Sequence, residues 1–394
     1  MLPPVINESL PSRRTRQDNG ALWRVTCLIG ACVCLSIGFS LFERGSDFNE
    51  FYSASKLAGT GHMYDWERIQ ELEIRNGEHP IPFGRLPVYG VLLKPLTILP
   101  YSYARGIWLV VNLAALIGFA MLWPVRRRRD AIMMLCWSCP AAILLSTGQD
   151  TGLFLFLVTV GLRLLRSQRD FAAGLVFSLC AAKFHLALGI PVFLLARRRW
   201  GAVAGGVAGG LVQLAISFAA EGREWPARLL QLSSISDFSP SPAKMPNLLG
   251  LTHGLPYGRG IEAVLALLAL AAVWVISRRS ALAIGATAAV VGGLLVSHHA
   301  YVYDAVLLLP AILLALGLPG PKALRYGALL LCVPIPYLLL MQEHGVWVVT
   351  QVSINGFGLL LLGLLAAHRL VRESPAMALR LTRQSRLMAG RRTA

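Results

Sequence analysis

Charge is what this sequence has least of. Asp, Glu, Lys and Arg make up 14% of its 394 residues, too few to cover the surface of a soluble domain of this size. Acidic residues are the scarcer kind, 20 against 37 Lys and Arg. Asp47-Phe48-Asn49 is not a pair of carboxylates at the spacing of a metal–nucleotide site, since it ends in an amide. A disulfide framework is missing as well. Cys27, Cys32, Cys34, Cys136, Cys139, Cys180 and Cys332 all lie within or beside apolar segments. Cys136-Trp137-Ser138-Cys139 has redox or metal spacing, but no second ligand pair accompanies it, so packing is its expected role. The first apolar run lacks the small residues of a cleavage site, so residues 1–20 read as a cytoplasmic segment before an uncleaved signal anchor. No convincing inverted repeat is visible, which counts against a transporter.

What the chain has is apolar length. Hydrophobic residues are 55% of the total. Gly201–Ala220 and Tyr326–Met341 carry no charge at all, and a run near twenty apolar residues is long enough to cross a bilayer. The net charge of +17 is clustered at Arg126–Arg129, Arg197–Arg199, Arg278–Arg279 and after His368. Short Arg clusters between apolar runs keep their loops cytoplasmic and do not call for nucleic acid. The expected fold is all-α: a polytopic membrane bundle of about twelve transmembrane helices or half-helices. It forms one domain over residues 21–370, with a basic cytoplasmic tail over 371–394.

Spans and Arg clusters together give a map with both termini inside the cytoplasmic membrane. A first helix, near Ala21–Phe42, leads to a long outer loop, about Glu43–Ser102, of mixed charge. Pro87–Pro100 within it is too short to span and reads as a re-entrant or interfacial helix. Helices follow near Tyr103–Trp123, Ala131–Thr147 and from Gly148-Gln149-Asp150 back to Arg166–Arg169. Phe171–Ala196 has basic residues at both ends and is too short for two spans. Two half-helices meeting near Lys183-Phe184-His185 keep every later Arg cluster inside, and such a break needs protein or an aqueous cavity around it. Gly201–Ala220 then leads to a second outer loop, Glu221–Arg259, followed by helices near Ile261–Ile276, Ala281–Ser297, Tyr303–Leu318, Tyr326–Met341 and Trp347–Ala367.

The candidate site residues gather at the outer ends of these helices. Asp47 lies just past the first span, where it serves either as a general base or as a helix cap. The aromatics Phe48, Phe51, Tyr52, Tyr64, Trp66, Phe83 and Tyr89 suit sugar stacking or, more plainly, the interfacial belt. Lys183 and His185 are ionisable groups at a break inside the membrane, and such groups are functional candidates. Lys183 would meet either an anionic lipid phosphate or a backbone carbonyl. His298 and His299, with Tyr301, Tyr303 and Asp304, make a second cluster. Asn247, in Pro246-Asn247-Leu248-Leu249-Gly250, reads as a substrate contact or a cap.

An ordered set of short motifs carries a resemblance over about Asp47 to Pro310. It runs Asp47-Phe48, Phe51-Tyr52, Gly61-His62-Met63-Tyr64-Asp65, Phe83, Pro87, Leu93-Lys94-Pro95-Leu96 and Leu99-Pro100. It continues through Ala104, Trp108, Asn112, Gly148-Gln149, Ala173-Gly174, Ala182-Lys183, Arg197-Arg198-Arg199-Trp200 and Asn247-Leu248. In these the chain resembles glycosyltransferase family 87, the polyprenyl-phosphate-mannose-dependent mannosyltransferases of the GT-C fold. It departs where the family's aromatic-Pro-Pro reads Phe83-Gly84-Arg85-Leu86-Pro87, and where Phe184 replaces the proline after the lysine. The resemblance implies an inverting transfer of a hexose, mannose first, from a polyprenyl-phosphate sugar to a glycan or glycolipid acceptor on the outer, periplasmic face. Asp47 would be the base, and Lys183, His185, His298 and His299 would face the donor phosphate. Asn49, Tyr52, Tyr64, Arg85, Gln149 and Asn247 would contact substrate. No cofactor or metal is implied, because a polyprenyl phosphate leaves without a nucleotide–metal site. The expected partners are the lipid-linked sugar, the acceptor and membrane lipids, not nucleic acid. A lipid or glycolipid transporter or flippase is the alternative.

Overall fold

A computed structural model describes residues 13–41, 47–125, 127–233, 241–317, 320–341 and 347–390, with side-chain surroundings between 20 and 370. Ser46, Arg126 and most of the segment expected at 1–20 lie outside these residues, as do the side chains of the tail from 371. Among the described residues every regular element is a helix. In chain order they are α1 (Arg13–Leu41), α2 (Phe48–Leu57), α3 (Trp66–Arg75), α4 (Pro87–Leu93), α5 (Tyr101–Leu122), α6 (Arg128–Cys136), α7 (Cys139–Thr147) and α8 (Thr151–Arg166). Then come α9 (Asp170–Ser178), α10 (Gly189–Ala196), α11 (Trp200–Glu221), α12 (Trp225–Ser233), α13 (Leu248–Thr252), α14 (Gly258–Arg279) and α15 (Leu282–Val296). The last four are α16 (Leu309–Gly317), α17 (Lys322–Leu330), α18 (Ile335–Met341) and α19 (Trp347–Gly390).

Five stretches are long and apolar enough to cross a membrane: Gly20–Ser40, Tyr101–Leu122, Trp200–Glu221, Gly258–Arg279 and Val349–Leu370. Counting two bent pairs gives up to seven, against the dozen crossings or half-crossings mapped from sequence. The other mapped crossings fall on shorter elements, among them α8, α9, α10 and α15. The bent pairs correct two helices expected to be continuous. The α6–α7 pair turns by 61°, because Pro140 has no N–H for the Cys136 carbonyl and Ser138 Oγ instead accepts from Ala141 N at 3.2 Å. The α17–α18 pair turns by 63° at Pro334, and Tyr337 OH donates to the Leu331 carbonyl at 2.9 Å.

The stretch read as a long first loop is largely helical. Asp65 caps α3, and Pro87 starts α4. The two are joined by the irregular segment 79–86. Most of the aromatics there point inward, and Trp66 is half-buried against them. Phe48, Phe51, Tyr52, Met63, Tyr64, Phe83 and Tyr89 are buried together with Trp108 of α5 in a second core, separate from that of the main bundle. Phe48 stacks on Trp108 with ring centroids 5.6 Å apart. Trp108 Nε1 donates to the Gly148 carbonyl at 2.7 Å, which fastens this small subassembly to the α7–α8 turn. Glu221, at the end of α11, secures the α2–α3 connection by accepting from Gly59 N at 3.2 Å and Met63 N at 3.0 Å.

Between α9 and α10 the chain runs through a 3-10 turn (Leu179–Lys183) and then turns again to Gly189, so the expected break near Lys183–His185 falls here. Small residues clamp it on two sides. A Cβ at Gly174 or Gly205 would meet the carbonyls of Ala202 and Phe171 across the α9–α11 contact. One at Gly189 or Gly293 would meet those of Ala289 and Leu186 across the α10–α15 contact. Basic residues meet at the far end of the bundle. Arg163 Nε donates to the Leu122 carbonyl at 3.2 Å, Arg197 to the Ser277 and Ser280 carbonyls at 2.8 Å, and Arg199 pairs with Asp170 at 3.2 Å.

Candidate active site

At the other end, five chain segments bring polar and charged side chains into one connected cluster. Asp47 comes from the N-terminus of α2, Arg85 from segment 79–86, and Gln149 and Asp150 from the α7–α8 turn. Lys183 comes from the break after α9, and Asp304 from the 3-10 turn Val302–Leu308. The α7–α8 turn is made by Gly148, whose φ of 74° suits glycine and lets Gln149 and Asp150 point into the cluster.

Gln149 Nε2 donates to Asp47 Oδ2 at 2.9 Å. The orientation of that amide is fixed from behind, because Arg85 Nη2 donates to Gln149 Oε1 at 3.3 Å and to Asp150 Oδ1 at the same distance. Lys183 Nζ lies 3.4 Å from Asp150 Oδ1 and 2.9 Å from Asp304 Oδ1. Thr151 Oγ1 also donates to Asp304 Oδ1, and Tyr301 N donates to Asp304 Oδ2 at 2.9 Å. Lys183, Asp150 and Asp304 are buried, where an unpaired charge would be costly. The sequence reading gave Lys183 a lipid phosphate or a backbone carbonyl; its partners here are two carboxylates.

Asp47 occupies the rim of the cluster, half-buried. Burial pushes its carboxyl up to about 6, against the pull of the Gln149 hydrogen bond and the Lys183 and Arg85 charges. It makes no side-chain cap bond to α2, so the capping role considered from sequence finds no support.

Beside the ions lies a group of rings. His185 is 5.5 Å from His298 and 6.0 Å from His299, centroid to centroid. His299 packs edge-on against Tyr301 at 4.8 Å, and Tyr301 stacks on Tyr303 at 5.1 Å. Lys183 Nζ sits 5.0 Å above Tyr303. His185 is buried, whereas His298 is exposed beside the equally exposed Phe184.

Four expected substrate contacts lie elsewhere. Asn49 is fully buried between α2 and α3, accepting from Asn76 Nδ2 at 2.7 Å. Tyr52 OH donates to the Leu99 carbonyl at 2.7 Å, and Tyr64 OH to the Arg85 carbonyl at 2.6 Å. Asn247 caps α13 through Gly250 N at 3.0 Å and donates to the Ser297 carbonyl at 2.8 Å, next to His298. These four shape the site from outside it. Asp150 and Thr151 are the members that sequence reasoning did not select, and Asp304 was seen there only as a companion of His298 and His299. Their signal was a carboxylate or hydroxyl at a helix start, too common to single out.

Glycosyltransferase family 87 matches residues 87–310, more than half of the 394-residue chain. The matched region holds Gln149, Asp150, Lys183, His298 and Asp304, and Asp47 precedes it. A polyprenol-phosphate-mannose-dependent alpha-(1-2)-phosphatidylinositol pentamannoside mannosyltransferase of Mycolicibacterium smegmatis is 25% identical over 338 residues, covering 78% of this chain and 80% of that protein. No solved structure matches. With a membrane-helical architecture and a match over most of its length, the chain belongs to glycosyltransferase family 87.

Proposed function

We propose that this glycosyltransferase moves mannose from a polyprenyl-phosphate-mannose donor to a glycan or glycolipid acceptor at the outer face of the cytoplasmic membrane, with inversion. The observation that carries the reading is Asp47, a carboxylate held by Gln149 at the rim of a buried charged cluster. A base at that rim reaches an acceptor hydroxyl from water while the donor arrives from lipid. Asp47 takes the hydroxyl proton, the acceptor oxygen bonds to the anomeric carbon, and the bond to the phosphate breaks with its electron pair on the departing oxygen. Arg85 and Lys183, each paired with Asp150, are the site's cations, and the leaving phosphate would compete with the carboxylates for them, while the exposed His298 with His299 and His185 supplies ring donors beside it. The relative's name supports mannose and a glycolipid class of acceptor. Family membership leaves the transporter alternative without support.

Purified protein should transfer labelled mannose from polyprenyl-phosphate-mannose to a membrane glycolipid extract with no nucleotide sugar added. Transfer seen only with a nucleotide sugar would overturn the donor assignment. The side of the membrane has its own test. The basic far end of the bundle favours the cytoplasm, so reporters fused after Glu78 and Glu224 should read outside, and those near Arg128, Arg198 and Arg279 inside. An outside reading at Arg198 would reverse the orientation of everything after it.

A further inference from the structure

Arg85 reaches the cluster from segment 79–86, which Pro80 and Pro82 keep out of any helix. A segment without regular structure has few backbone partners of its own, so it must be fixed from outside. Three side chains do this. Glu73 Oε2 accepts from Ile81 N at 2.5 Å, Glu50 Oε1 from Gly84 N at 2.9 Å, and the Arg85 carbonyl accepts from Tyr64 OH at 2.6 Å. Of these, Glu50 shares its helix with Asp47. It stands one helical turn after Asp47 on α2 and is buried. No salt bridge was needed to bring it there: its geometric partner is the backbone N–H of the residue just before Arg85.

We propose that Glu50 is a positioning residue for the transfer: by holding Gly84 it keeps Arg85 on the Gln149 carbonyl, and so keeps the Gln149 amide donating to Asp47. The inference rests on the reading of Asp47 as the base. The contacts run unbroken from Glu50 to Gly84, through Arg85 to Gln149 Oε1, and from Gln149 Nε2 to Asp47. If Arg85 shifts, Gln149 Oε1 loses that donor and the amide is free to turn its oxygen toward the Asp47 carboxylate. The Arg85 guanidinium also lies 5.4 Å over the Phe51 ring, the residue after Glu50, so α2 holds Arg85 at two adjoining positions.

The groups facing Glu50 are Asp47 on its own helix, Arg85 on the segment, Asp150 in the α7–α8 turn and Glu73 on α3, with the phenols of Tyr89 on α4 and of Tyr301 beside the 3-10 turn. Burial pushes Glu50 up to about 7, while the Arg85 charge and the Gly84 hydrogen bond pull it down. Its ionised form is the stronger acceptor for Gly84 and the stronger partner for Arg85. The working site therefore needs two protons gone, one from Asp47 and one from Glu50.

The test uses the full chain in detergent, labelled polyprenyl-phosphate-mannose as donor and a membrane glycolipid extract as acceptor. Wild type should lose kcat/KM below pH 6 with a slope of two on a logarithmic plot. Glu50→Gln keeps an acceptor for Gly84 N but has no proton to lose. Neutral as protonated Glu50 is, it should transfer roughly ten-fold or more below wild type even at pH 8, the worth of a charge-assisted hydrogen bond, and show a slope of one. Glu50→Ala should lose roughly a hundred-fold at every pH, the size of effect that a misplacement of about 1 Å produces. A Glu50→Gln slope that stays at two overturns the role even if Glu50→Ala does not fold. So does a folded Glu50→Ala with wild-type kcat and KM. Asp47→Asn is measured beside them. If it stays active the base assignment fails, whereas a dead Asp47→Asn with an unaffected Glu50→Ala sinks the positioning role alone.

Discussion

Asp47→Asn is expected to lower turnover about a hundred- to ten-thousand-fold, the cost of losing a general base. The amide keeps the shape, and its oxygen still accepts from Gln149 Nε2, but it takes no proton. Stability should move the other way. Burial pushes the Asp47 carboxyl up to about 6 from 3.8, so the native state binds this proton more tightly than the unfolded chain does. The stabilisation from that proton is complete below pH 3.8 and lost as pH rises through about 6. At pH 7.5 the carboxylate opposes folding, and the amide should melt no lower than wild type. Asp65→Asn is the comparison. Asp65 caps α3 through Arg68 N, so its loss costs at most about 1 kcal/mol of stability and no turnover. Turnover of Asp47→Asn within a few-fold of wild type, normalised to folded protein, would put the base elsewhere.

Lys183→Met should have the largest effect on the fold. Its ammonium is the only group bridging Asp150 and Asp304 by salt bridges among the described residues, and all three side chains are buried. Removing one partner of a buried ion pair costs about 3–5 kcal/mol, because the other charge is left without compensation. Here two carboxylates would be left. Arg85 still reaches Asp150, so the greater burden falls on Asp304. Restoring balance with Asp304→Asn in the same chain should recover part of the loss, and a double-mutant cycle on melting temperature measures how much. A Lys183→Met protein that melts with wild type would show that the bridge contributes nothing to the fold. The donor KM, measured on whatever folds, then reports any separate contact to phosphate.

The residues chosen from sequence divide according to geometry. Hydropathy and Arg placement exposed the long spans and the break at Lys183–His185, because both depend on local composition. They passed over the bends at Ser138 and Pro334, since a window of apolar residues averages out a proline. Around Asp47 the error was one of phase. Asn49 and Tyr52 follow from the resemblance, yet at 100° per residue a helix turns Asn49 to the far side, whereas Glu50 and Phe51, three and four residues on, share the face of Asp47. The Lys183–Asp150–Asp304 bridge was invisible for another reason. Its members come from three separate elements, and only their tertiary meeting distinguishes them from ordinary helix-start residues. The buried aromatics were misread because a small second core attached to a membrane bundle has the same composition as an interfacial belt.

The glycine contacts on both sides of the α9–α10 break bear on how the enzyme meets its lipid surroundings. Gly174 and Gly205 bring backbone against backbone on one side, and Gly189 and Gly293 do so on the other. Such contacts do not depend on side-chain rotamers and yield little to lateral pressure. A thinner or thicker bilayer would be accommodated by tilting of α5 and α14, whose lipid-facing surfaces are apolar and exposed along most of their length. The position of Lys183 along the bundle is then set by the protein's own frame, so on the proposed reading the donor phosphate would meet the same electrostatic field whatever the length of the acyl chains around it.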